Sequence, residues 1–225
     1  YYVTVSIYGC SAQDSIFVNV LPLPDVKATN DTMICYGDSI RLEASSSSMP
    51  AFISGFKYLG DINGHYYYMS DSTDSWKSSK IICESKGGHL VTINSLTENN
   101  YIWANTGGEI IWIGCTDEDV EGDWKWVTGE SFSYKNWNSG EPNNSGNEDY
   151  GQMNYHGNTG TWNDLADNVK YKYVMEVEPY EWSTGNKTNY IYVKPTITTT
   201  YYVTYKYNGC SYSDTIVVNV NPIPD

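Results

Sequence analysis

Carboxylate and side-chain amide oxygens crowd into one stretch of this chain. Asp117, Asp119, Glu121 and Asp123 follow one another in the run from Thr116, and Glu141-Pro142-Asn143-Asn144, Glu148-Asp149 and Trp162-Asn163-Asp164 come after them. A hard cation such as Ca2+ takes six to eight oxygen donors at about 2.3–2.6 Å, from carboxylates, amides, carbonyls and water, so these residue types are what such an ion requires. The bland reading of the Asp117–Asp123 run is a solvated acidic turn. Catalysis would need a nucleophile beside a base, or two carboxylates in acid and base roles. No such setting stands out around the Ser, His and Asp residues, so the chain reads as a binder and not an enzyme.

Composition narrows the partners. The chain of 225 residues carries 13 Lys plus Arg, Arg41 being the one Arg, against 27 Asp plus Glu, for a formal charge of −14. Phosphate-backbone binding needs a basic footprint, so nucleic acid is excluded as a partner. No run approaches the roughly 18 apolar residues of a membrane helix, so membrane insertion is not expected. The length allows two ordinary domains. Few Lys and Arg, abundant Tyr, Asn, Ser and Thr, and many short alternating runs suit an exported, extracellular β-rich protein, expected to be a piece of something longer.

An internal repeat sets the organisation. Residues 1–25 align without gaps on residues 201–225, sharing Tyr-Tyr-Val-Thr, Gly-Cys-Ser, Val-Asn-Val and Pro-x-Pro-Asp. Each copy is two alternating runs around a Gly-containing turn, Tyr201–Tyr207 and Asp214–Val220 in the second, with Asn208-Gly209 as the hairpin signal. Pro22, Pro24, Pro222 and Pro224 end the last strand and stiffen a linker. Ser39–Ala44 and Tyr180–Ser183 read as further strands. Between them lie two helix-like stretches, Thr73–Ser85 and Leu96–Thr106. Ser95 with Glu98 fits a capping box, and Gly87-Gly88 and Gly107-Gly108 stand at helix ends.

Two resemblances complete the reading. ICYGDS, YEWSTG and the closing TTTYYVTYKYNGCS…VNVNP resemble the immunoglobulin-like repeats of bacterial surface adhesins, especially those of the Bacteroidota. The order of Gly87-Gly88-His89-Leu90-Val91-Thr92-Ile93, Trp112-Ile113-Gly114, Glu141-Pro142-Asn143, Glu148-Asp149 and Trp162-Asn163-Asp164 resembles a C-type lectin domain. The expected fold is an all-β immunoglobulin-like sandwich with an inserted α+β C-type lectin fold. Residues 1–25 would be the C-terminal hairpin of a preceding repeat, 26–50 and 180–225 a discontinuous sandwich, and 51–179 the lectin-like domain in the B–C loop.

The lectin resemblance implies a principal calcium and sugar site at Glu141, Asn143, Glu148, Asn163 and Asp164, with a cis Pro142. It implies an auxiliary site at Asp117, Glu121, Asn144 and Asp149, with Glu148 as a shared ligand. The Glu-Pro-Asn order resembles lectins for the mannose, N-acetylglucosamine, glucose and fucose class. Glycans and neighbouring repeats are the expected partners, at a cell surface or in a filament. A structural or protein-binding module whose calcium only stabilises loops is the alternative. Asn143-Asn144-Ser145 also reads as a glycosylation sequon, and a glycan there would remove a proposed ligand. Trp112, Trp162, Leu90 and Trp182 read as core, His89 as structural and His156 as surface loop.

The five cysteines depart from the lectin pattern, because Met175 and Asp167 occupy usual disulfide positions. Cys10 would pair upstream of this chain, leaving Cys35 with Cys210, and Cys83 with Cys115 or both reduced. The first of these pairs conflicts with an immunoglobulin topology, which puts the two residues at opposite ends.

Overall fold

The structure, a computed structural model, describes residues 1–18, 24–48, 52–154, 157, 160–207 and 209–222. Pro22, Pro224, Asn208 and His156, named above, lie outside the described residues. The chain opens with a hairpin of β1 (Tyr2–Ile7) and β2 (Cys10–Ser15), turned through Tyr8 and Gly9 at φ 51° and 81°. Two successive left-handed residues match the right-handed twist of the flanking strands. Every residue of both strands is exposed.

Two facing sheets follow. β3 (Lys27–Ala28), β4 (Thr32–Cys35) and β5 (Ile40–Ser45) precede a long excursion. Leu42 and Ala44 of β5 are buried while Arg41 and Glu43 face out, the period-two pattern of a half-buried strand. Within the excursion, β6 (Phe56–Ile62) and β7 (His65–Ser70) form a hairpin, and α1 (Trp76–Ser85), β8 (His89–Leu90) and α2 (Leu96–Asn105) follow. Then come β9 (Ile111–Thr116), β10 (Lys125–Trp126), β11 (Tyr150–Met153), β12 (Trp162–Leu165) and β13 (Lys172–Val177). The chain returns through β14 (Tyr180–Trp182), β15 (Tyr190–Val193), β16 (Thr199–Tyr207) and β17 (Cys210–Asn221).

The order β14–β16–β17–β4 makes one outer sheet and β15–β5–β3 the other, with β17 and β4 parallel. Between them Leu42, Trp182, Tyr205, Val203, Ile216 and Val218 are buried. The excursion builds its own sheet, β12–β11–β9–β13–β7–β6, with β10 on β9 and β8 on β13. β9 is buried on both faces from Ile111 to Cys115, as expected of a strand covered on both sides. Trp76, Cys83, Trp112 and Met175 pack one cluster and Ile102, Ile113, Trp126 and Trp162 another. Gly114 admits no side chain, because a Cβ there would lie 2.6 Å from the Leu90 carbonyl. Cys115 has room because Gly151 faces it, a Cβ at 151 lying 2.1 Å from its Sγ.

Local signals account for the helix ends. Ser75, not Thr73, caps α1, its hydroxyl accepting the Ser78 N–H, because Asp74 is held in an extended bridge to Tyr171. Ser95 accepts the Glu98 N–H, while the Glu98 carboxylate accepts the N–H of Asn94 and not that of Ser95, so the box closes one residue early. The expected Cys35–Cys210 pair is corrected by register. Cys35 lies opposite Asn221 and Cys210 begins the same twelve-residue strand, so at about 3.3 Å per residue they are roughly 36 Å apart. A disulfide tolerates about 7 Å between Cα atoms.

Candidate metal and ligand site

An aromatic floor carries the acidic loops. Trp162 of β12 packs edge-on against Trp126 and Trp137 at ring-centre distances of 5.6 and 5.7 Å, and Trp124 meets Trp137 at 4.6 Å. The Trp162 Nε1–H donates to Asn99 of α2 at 2.8 Å, which fixes the indole where it would otherwise bury an unpaired N–H. From this anchor, Asn138 N–H donates to the Trp162 carbonyl at 2.8 Å and Glu141 N–H to the Asn138 carbonyl at 3.0 Å. The Glu141-Pro142 turn is thereby tied to the start of β12, and its peptide bond is cis.

Asp164 closes the other side. Its carboxylate accepts the backbone N–H of Asn143 at 3.1 Å and of Asn144 at 2.8 Å. The Asn143 amide donates to Glu141 Oε2 at 2.5 Å while its Oδ1 accepts the Ser145 N–H at 2.8 Å. Ser145 N–H also donates to Glu148 Oε2 at 3.0 Å, and Glu148 N–H donates to Asn144 Oδ1 at 2.8 Å. The Asn163 amide lies against the Asp164 carbonyl. Glu141, Asn143, Glu148, Asn163 and Asp164 thus form one hydrogen-bonded cluster. Burial raises the Glu148 pKa, and the charges of Asp164 and Glu141 add to the rise.

The second set converges on Asp117, at the end of β9. Asp117 is 2% exposed; Oδ2 accepts the Gly122 N–H at 2.8 Å, while Oδ1 has no hydrogen-bond partner among the described residues. The Asp117 N–H donates to the Asp149 carbonyl at 3.2 Å. Burial raises the Asp117 pKa, with Asp149 and Asp164 adding to it; the Glu121 pKa is raised by desolvation and by Asp117, Asp149 and Asp164. Asn144 uses its side-chain oxygen on Glu148 and its N–H on Asp164, so its contacts run to the first cluster.

An all-oxygen donor set, mutually repelling carboxylates and a buried carboxylate oxygen without a partner fit a hard cation. Ser145, whose backbone N–H clips Asn143 to Glu148, gave no sequence signal, since the contact is made by the main chain. The tightest His and carboxylate groups among the described residues lie elsewhere: His65 with Glu98 and Glu176, and His89 with Glu176 and Glu178, their ligand atoms within 4.8 Å. His65 Nδ1 contacts Glu176 at 2.5 Å, and His89 Nδ1 bonds the Leu90 carbonyl at 2.9 Å.

The model of the Lectin C-type domain family matches residues 72–176, the segment that holds both clusters. The carbohydrate-recognition domain of human scavenger receptor C-type lectin superposes with TM-score 0.50 at 32% identity, over 56% of this chain and 98% of that one. This chain belongs to the C-type lectin domain family. The lectin domain is 41% identical over 118 residues to hepatic lectin of Gallus gallus, across 50% of this chain and 55% of that protein. It is 36% identical over 106 residues to lectin BRA-3 of Megabalanus rosa, across 46% and 65%. The chain therefore spans just over half and just under two thirds of these two relatives. C-type lectins are non-enzymatic binding proteins whose carbohydrate binding is generally calcium-dependent. The two outer sheets fall outside the matched residues.

Proposed function

We propose that the lectin domain binds sugars of the mannose, N-acetylglucosamine, glucose and fucose class with Ca2+ held by Glu141, Asn143, Glu148, Asn163 and Asp164. The observation carrying this reading is the pairing of Glu141 and Asn143 across Pro142, one an acceptor and the other a donor, beside Glu148 and Asp164. Calcium would supply Lewis-acid contacts to two vicinal hydroxyls. Each hydroxyl then needs one donor and one acceptor nearby. An amide N–H and a carboxylate oxygen are that pair, and their order along the loop selects the hydroxyl geometry. Asp117, Glu121, Asn144 and Asp149, with Glu148 shared, are proposed for an auxiliary calcium that stiffens the loop. The Asp117 oxygen that lacks a partner among the described residues supports it. A glycan array probed with and without chelator tests the reading: retention of mannose-class glycans only with calcium is expected, and chelator-resistant or absent binding would leave a structural or protein-binding module.

The remainder of the chain is proposed to be an immunoglobulin-like sandwich, residues 26–50 and 180–225, with the lectin domain of residues 51–179 in its B–C loop. The parallel β17–β4 pair and the split order β14–β16–β17–β4 and β15–β5–β3 support this. Residues 1–25 would close a preceding sandwich. Tyr201, Val203, Ile216 and Val218 are buried, whereas their repeat equivalents Tyr1, Val3, Ile16 and Val18 are exposed and await the same kind of cover. Serial units of this kind suit an extracellular adhesin or filament at a bacterial surface, where repeated weak sites gain avidity through effective concentration. That setting rests on the repeat and the sandwich; the relatives named above are animal proteins.

A further inference from the structure

The cysteines that cannot meet within a unit are placed to meet between units. Cys35 is exposed at the end of β4, opposite Asn221, so it marks the end at which the chain leaves the sandwich. Cys210 opens β17, opposite Tyr207, at the tip of the hairpin at the other end. That other end is where the chain enters. Lys27 of β3 pairs with Ser45, the last residue of β5, and the lectin excursion leaves and rejoins at this end too, Tyr180 of β14 pairing with Tyr205 near the Cys210 tip.

The entry point is pinned. The Asp25 carboxylate accepts the Ser47 hydroxyl at 2.8 Å and N–H at 2.9 Å, and bonds Ser46 and Ser48 besides. Asp25 is also the last residue of the repeated Pro-x-Pro-Asp, whose second copy is Pro222–Asp225. Four residue-to-residue steps therefore separate Asn221 at the exit end of one unit, beside its Cys35, from the Asp that docks at the entry end of the next. In an extended proline-rich form they reach about 12 Å. In a serial array that reach would hold successive units within about a third of the distance separating the two cysteines in one unit.

We propose that Cys35 of one unit and Cys210 of the unit that follows are joined by a disulfide across the junction, so that an array is cross-linked at every joint. The inference rests on the serial-unit reading given above. Each thiol gives up its proton and the pair gives two electrons to a disulfide-type oxidant, which leaves as two thiols while the new S–S bond forms. Cys10, aligned with Cys210, would belong to the joint one unit upstream. Cys83 and Cys115 are buried and stay as thiols: burial pushes the Cys83 pKa up to about 12, and the Cys115 pKa is also raised by burial.

The test lengthens the intact chain at Asp225 by a second copy of residues 26–225, oxidises it with glutathione disulfide and maps peptides without reduction. The expected product links Cys35 of the first copy to Cys210 of the second, and Cys210→Ser in the second copy abolishes that peptide alone. Alkylation of both thiols, or a link from Cys35 to Cys210 inside one copy, overturns the proposal. Small-angle scattering of the reduced chain separates the two readings. Units in line with both thiols alkylated defeat only the disulfide, whereas units packed side by side defeat the serial array and the disulfide with it.

Discussion

Asp164 holds Asn143 by its backbone N–H at 3.1 Å, through one carboxylate oxygen, while the other oxygen holds the next residue along. One side chain on a strand thereby positions the loop that carries the Glu-Pro-Asn sequence. Asp164→Ala should remove both contacts and cost about 1.5–3 kcal/mol, the range for hydrogen bonds to a charged group, read from denaturant unfolding without calcium. Sugar binding should be lost as well. Unchanged stability would show that the loop is held by other contacts.

Calcium should raise the melting temperature. Asp117, Asp149, Glu121 and Asp164 repel one another without an ion, and the buried Asp117 oxygen lacks a partner among the described residues. Binding to the folded state alone stabilises by roughly 2.7 kcal/mol at a hundredfold excess over Kd. Asp117→Asn should retain most of the sugar binding while shrinking this gain. Identical melting curves with calcium and with chelator would remove the metal from the account.

The sugar preference should follow the order of acceptor and donor. Glu141→Gln combined with Asn143→Asp keeps every oxygen but exchanges the roles on either side of Pro142, so preference should move toward galactose-type hydroxyls by about tenfold, or roughly 1.4 kcal/mol. Competition of mannose and galactose for an immobilised glycan reads the ratio. An unaltered ratio would place the sugar away from this pair.

Stability should decline on the alkaline side. Burial alone would lower the His89 pKa, but Glu178 at 3.6 Å and the Glu176 charge outweigh it and push the pKa up to about 9. A raised pKa contributes stability that is fully present below the unfolded value near 6.5 and is lost as pH rises through about 9. Glu178 behaves oppositely: burial opposes the shift, but His89 and Lys187 lower its pKa to about 2, so its contribution is lost as pH falls from 4.5 through about 2. His89→Gln should flatten the decline between pH 7 and 9.5, worth roughly 1–3 kcal/mol. A parent curve already flat over that window would contradict the pairing.

The lectin fold was legible because its markers are sequence-local. Trp112, Trp162 and Leu90 are fully buried as expected, Trp182 packs the outer core, and the helices start within three residues of their capping signals. The closing hairpin was legible from alternation, though its second strand, β17, starts at Cys210 and not at the expected Asp214, because Cys210–Ser213 pair with Thr204–Tyr207 across the turn. The main-chain clip at Ser145 and the Asp164 contacts were not legible, since backbone N–H groups carry no residue signature. The Cys35–Cys210 pairing, reached by counting cysteines, failed where the topology already spoke against it: the two residues lie at opposite ends of β17.

One cluster is proposed to hold both ion and sugar. Calorimetric titration of the intact chain with methyl mannoside, at saturating calcium and again after chelation, tests it most directly. Weak saturable binding is expected with calcium, none after chelation, and none in either condition for Asn163→Ala combined with Glu148→Ala. Mannoside binding of equal strength in all of these samples would contradict it.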